Sequence, residues 1–83
     1  MQLKRQLKKF FADEKAENEE EIKKALELSS ELEKKIIIER FTGGNAITAQ
    51  FKFNISEAQY YRKVKKFFQR LEKLIVLKRD KNI

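Results

Sequence analysis

The sequence predicts an all-α fold: a small helical domain with a C-terminal helix-turn-helix and an N-terminal helical extension. Three observations lead there. The chain has no Pro, and its only two glycines are adjacent, Gly43-Gly44, a usage that suits helices with one marked break. Apolar residues recur at helical spacing in several separate segments. The last third opens with turn and cap residues, Asn54-Ile55-Ser56, and continues with an apolar stripe on one side and a basic stripe on the other.

Each element follows from local chemistry. Met1 to about Ala12 is expected to be helical, because Leu3, Leu7 and Phe10 fall at i, i+4 and i+7. Asp13 to Glu21 is acidic and nearly free of apolar anchors, and reads as a loop or a solvated helical link. Asn18 followed by Glu21 has the form of a capping box. A second helix is then expected from Glu19 to about Phe41. Ile22, Ala25, Leu26, Leu32, Ile36, Ile37 and Phe41 cover its wide apolar face, with Leu28 extending it and Ile38 nearer the opposite side.

Thr42-Gly43-Gly44-Asn45 ends that helix, since glycine takes a left-handed C-cap at little cost. Asn45 can cap the next, from Ala46 to Phe53. Here two alternatives stand. Ile47, Ala49, Phe51, Phe53 and Ile55 alternate strictly with polar residues, as in a half-buried strand. Paired with Ile36-Ile37-Ile38 across the glycines, the segment makes a β-hairpin. The cap that follows favours the helix. Ser56 is an N-cap, Gln59 completes a capping box, and Ile55 and Tyr60 occupy the positions of a hydrophobic staple. Asn54 suits a left-handed turn residue. The final helix is expected to reach about Leu77, with residues 78–83 frayed. Residues 1–21 thus form an N-terminal helix and acidic link, and residues 22–83 the helix-turn-helix domain.

Charge narrows the function. The chain carries +7 overall. Residues 45–83 hold ten cations and three anions, and residues 1–10 four cations and no anion. A basic half of this kind points to a polyanionic partner. On the final helix, Tyr61, Val64, Phe68, Leu71 and Ile75 are expected to form the buried stripe, flanked by Tyr60, Phe67 and Leu74. The Tyr60-Tyr61, Phe10-Phe11 and Phe67-Phe68 pairs read as core rather than as base-stacking platforms. The opposite face, set in a major groove, presents Gln59, Arg62 and Lys63 to base edges, with Glu57 and Ala58 near the rim. Glutamine pairs with adenine and arginine with guanine. Lys52, Lys66, Arg70 and Lys73 are expected to meet phosphates.

Residues 36–74 also resemble a known family. Ile37 and Phe41, the Asn54-Ile55-Ser56 turn, Tyr60-Tyr61-Arg62, Lys65-Lys66 and Leu71 are similar to the C-terminal helix-turn-helix of the ArpU/RinA-type late transcription regulators of Gram-positive phages. Those domains in turn resemble region 4 of sigma factors. The chain departs from the common helix-turn-helix pattern at Gln50, where a small residue is usual, and at Asn54, where Gly is usual. The resemblance implies sequence-specific binding of double-stranded DNA near a phage or mobile-element promoter. It also implies RNA polymerase as a further contact.

Other classes fit less well. There is no His and no Cys, and no glycine-rich phosphate loop, so no enzyme, cofactor or metal is expected. Glu19-Glu20-Glu21 point in different helical directions. No stretch has the form of a signal peptide or a membrane span, so a cytoplasmic protein is expected, off the membrane. A homodimer is expected, because one small module seldom supplies enough specificity. The rival readings are a DNA-packaging adaptor of the small-terminase kind and an interaction module docking on host RNA polymerase.

Overall fold

The computed structural model describes residues 3–81. The fold is all-α, with five helices and no strand among the described residues: α1 Leu3–Phe11, α2 Glu19–Glu27, α3 Glu31–Phe41, α4 Ala46–Phe53 and α5 Glu57–Lys81. α5 is the spine. Its 25 residues make a rod of about 37 Å at ~1.5 Å per residue, in a molecule measuring 45 × 23 × 20 Å. α2, α3 and α4 all pack on α5, while α1 packs on α3.

The expected single helix over Glu19–Phe41 is two helices. The Ser29-Ser30 pair breaks it. Ser29 Oγ donates to the Ala25 carbonyl at 2.7 Å, competing for the last turn of α2 as serine hydroxyls do. Ser30 is extended, and its Oγ accepts from the Glu33 N–H at 3.2 Å, so it caps a new helix. Leu28, expected on the apolar face, is exposed at this corner. The Asn18 capping box does not form either. Asn18 is left-handed, with φ 60°, and its side chain donates to Gln6 Oε1 of α1 at 3.1 Å. Of the acidic link, residues 13–18 form a loop, in which Asp13 is also left-handed, and Glu19, Glu20 and Glu21 make the first turn of α2.

Ala46–Phe53 is helical, not a hairpin strand. Asn45 and Thr48 cap it reciprocally: Thr48 N–H to Asn45 Oδ1 at 3.0 Å and Asn45 N–H to Thr48 Oγ1 at 2.9 Å. The turn before it needs Gly43, whose φ is 110°. A helix splits the apolar alternation that a strand would keep on one face. Ala49 is buried, whereas Ile47 is 65% and Phe51 84% exposed.

A single core joins all five helices. Leu7, Ile22, Ala25, Ile36, Ile37, Ala49, Tyr60, Val64, Phe67, Leu71 and Ile75 are its buried members. The boundary near residue 21 therefore separates no second core, since Leu7 is buried with the rest. An aromatic chain ties α1 to α5: Phe11 stacks on Phe41 at 6.3 Å, and Phe41 meets Phe68 edge-on at 6.2 Å. Such pairs add to the gain from burial.

On α5 the buried stripe is Tyr60, Val64, Phe67, Leu71 and Ile75, turned by about 40° from the expected one at ~100° per residue. Phe67 takes the place assigned to Phe68, and Tyr61 is 50% exposed. Two adjacent aromatics lie about 100° apart on a helix, so periodicity alone does not choose between them. Contacts from α3 do: Arg40 donates to the Tyr60 hydroxyl at 3.1 Å. The helix also runs past Leu77 to Lys81, with Lys78 bound to Glu21 at 3.2 Å. Met1, Gln2, Asn82 and Ile83 lie outside the described residues.

Candidate nucleic-acid interface

The corner between α4 and α5 sets the pose of the basic helix. Asn54 is left-handed, φ 53° and ψ 52°, as the C-cap of α4. Its short polar side chain tolerates that region better than most L-residues. The Ile55 N–H returns to the Gln50 carbonyl at 3.2 Å. Ser56 then opens α5 with the full capping box: Gln59 N–H to Ser56 Oγ at 3.2 Å, and Ser56 N–H to Gln59 Oε1 at 3.0 Å. Ile55 and Tyr60 both pack into the core beneath the corner. Three residues thus carry the chain from one helix into the other.

With Tyr60 and Phe67 facing inward, the outward face of α5 follows. Ala58, Arg62, Lys65, Lys66, Gln69 and Lys73 are exposed along it. Four cations on a helix about 10–12 Å wide make a linear positive surface, with Glu72 exposed at its edge. No helix among the described residues is long and apolar enough to cross a membrane, and α5 is too charged to do so despite its length.

The expected contact residues divide into two groups. Arg62, Lys66 and Lys73 are exposed on the outward face. Gln59 is exposed, but its carboxamide oxygen is bound to the Ser56 N–H. Bidentate pairing with adenine uses that oxygen and the amide together, so the cap bond and a base compete for the Gln59 oxygen. Lys63 is half-buried on the flank beside Val64. Lys52 is held by Glu39 at 2.8 Å.

Arg70 belongs to the fold rather than to the surface. Its guanidinium donates to the Glu33 carboxylate and, at 3.0 Å, to Ser29 Oγ. Glu33 is only 3% exposed, and a buried carboxylate without a partner is costly. Arg70, expected at a phosphate, supplies the counter-charge inside the α2–α3–α5 junction.

Lys52 and Glu39 link α4 to α3. Glu39 Oε2 also accepts from Thr48 Oγ1 at 3.1 Å. The hydrogen bond from Lys52 is the main cause that holds the Glu39 carboxyl below the usual carboxylate range; desolvation opposes it and Thr48 assists. The pair fixes α4 against α3 and leaves Lys52 Nζ with less freedom for an outside anion.

Two groups were absent from the expected site. Lys65 sits on the outward face, and the motif Lys65-Lys66 already contained it. Lys4, Lys8 and Arg40 line a cleft beside the first turns of α5; the four cations in the first ten residues were the available signal for the α1 pair. No protein-family model, curated protein or solved structure matches the chain.

Proposed function

We propose that the protein is a sequence-specific double-stranded DNA-binding transcription regulator of a phage or mobile element. It acts in the cytoplasm and reads the major groove with the N-terminal part of α5. The observation that carries this is the outward row Arg62, Lys65, Lys66 and Lys73 on a helix that leaves a left-handed corner through a complete capping box. α4, the Asn54–Ser56 corner and α5 act as the helix-turn-helix. The major groove admits one α-helix, and the first turns of such a helix reach base edges. Arg62 is the base-reading residue, paired with guanine. Lys65, Lys66 and Lys73 meet phosphates, which supply affinity and register. The resemblance of residues 36–74 to ArpU/RinA-type regulators supports the same reading, with RNA polymerase as the partner in transcription. A homodimer doubles the footprint; light scattering measures it, and a ring of many copies instead favours a packaging adaptor.

Selection of bound sequences from a random duplex pool tests the proposal. A regulator enriches one short motif and loses affinity steeply as salt rises. Recovery of the pool without enrichment excludes sequence-specific reading. The exposed Ile47 and Phe51 on α4 favour a second reading, an interaction module that docks on a protein such as RNA polymerase. Absence of any salt-dependent duplex binding favours that module.

A further inference from the structure

A cleft of about 510 Å³ opens between α1, the α3–α4 turn and the first turns of α5. Three cations line it: Lys4 and Lys8, one turn apart on α1, and Arg40 on α3. No carboxylate is among its lining residues. Lys34, Lys52, Arg70 and Lys78 each have an acidic partner, whereas Lys4, Lys8 and Arg40 have none among the described residues. Arg40 is held in place, donating to the Tyr60 hydroxyl at 3.1 Å and lying 5.8 Å from the centre of the Phe41 ring. A guanidinium has five N–H donors, so several remain for a ligand. The opening residues of α4, Ala46 and Ile47, also face the cleft, and the first N–H groups of a helix have no intrahelical partner.

We infer that this cleft is a phosphate-binding site, taken by a backbone phosphodiester of the duplex that α5 reads. The inference rests on the duplex-binding reading of α5. Continuity selects the ligand: Tyr61, half-exposed, forms part of the cleft wall, and the next residue is Arg62 on the outward face. A strand leaving the groove beside Arg62 reaches Lys4, Lys8 and Arg40 without crossing an acidic side chain of the cleft. The α1 cations thus extend the footprint beyond the basic helix, and the N-terminal helix becomes part of the DNA-binding surface.

The test uses the full chain and the Lys4→Gln/Lys8→Gln double variant. Both lysines are exposed, so the fold persists, and circular dichroism verifies it. Duplex affinity is measured across a salt series, beside Arg62→Ala. Loss of the two lysines from this one phosphate flattens the log–log salt plot by up to about 0.9 per protomer while the preferred sequence stays the same. In a second arm, the Ala46 and Ile47 amide signals are followed by NMR with duplex and with inorganic phosphate. Shifts with duplex support the site. An unchanged salt plot for the double variant, with Arg62→Ala still losing sequence preference, overturns the cleft and leaves the reading helix standing. Shifts with inorganic phosphate but not with duplex overturn the phosphodiester as ligand. If the wild-type chain shows no salt-dependent duplex binding, the reading of α5 fails and the inference with it.

Discussion

Arg70 on α5 donates to the carboxylate of Glu33, a buried residue 37 positions earlier on α3. The pair closes the junction where α2 ends and α3 begins, because Ser29 at that corner accepts from the same guanidinium nitrogen. Arg70→Ala leaves Glu33 charged, buried and unpartnered. The expected cost is on the order of 3 kcal/mol, near the lower figures for breaking a buried pair because Arg70 itself is partly exposed. Lys73→Ala, three residues on, is expected to stay within about 0.5 kcal/mol. Urea unfolding of the two variants separates a residue of the fold from a residue of the surface.

The corner at Asn54 is expected to respond to backbone preference more than to side-chain contacts. Asn54→Val places a β-branched residue at φ 53° and costs about 1–2 kcal/mol. Asn54→Gly is close to neutral, since glycine takes the left-handed region freely. Ser56→Ala removes half of the capping box and costs about 1 kcal/mol. Thermal melts of the three variants give the order Asn54→Gly, Ser56→Ala, Asn54→Val from most to least stable.

Glu39 gives the chain one defined acid-sensitive link. Its carboxyl titrates below the usual carboxylate range, chiefly because Lys52 hydrogen-bonds the charged form. A group whose pKa is depressed on folding stabilises the fold above its unfolded pKa and loses that contribution as pH falls through the folded value. The melting-temperature gap between wild type and Glu39→Gln is therefore expected to be largest near neutral pH. It shrinks as pH falls through the carboxylate range, and Lys52→Gln removes most of it.

The two faces of the aromatic residues also separate in stability. Phe51→Ser, on the outward side of α4, is expected to change stability by no more than about 0.5 kcal/mol. Phe67→Ala, fully buried on α5, is expected to cost about 3–5 kcal/mol. Equal losses at the two positions contradict the helical assignment of α4, because a strand carries Phe51 on the same face as buried Ala49.

Local chemistry made much of this fold legible. Asn45, Asn54, Ser56 and Gln59 act through neighbours within a few residues, and their roles as cap and turn were readable from the sequence. The corner at Ser29-Ser30 is not legible in that way, because the apolar face from Ile22 to Phe41 continues across it. Asn18 could not be assigned locally, since its side chain meets Gln6, 12 positions earlier. The same holds for the site. Arg62, Lys66 and Lys73 were legible as a basic face, whereas Arg70 looked identical to them until Glu33, from a distant part of the chain, was placed beside it. The choice between Tyr60 and Tyr61 likewise depended on Arg40.

The most direct measurement compares wild type, Arg62→Ala and Lys73→Ala on the selected duplex and on a shuffled duplex of equal length and salt. Arg62→Ala is expected to lose about 1–3 kcal/mol on the selected duplex at one base position and to bind the shuffled duplex nearly as wild type does. Lys73→Ala is expected to weaken both alike. Unchanged affinity of both variants for both duplexes contradicts the assignment of α5 as the reading helix.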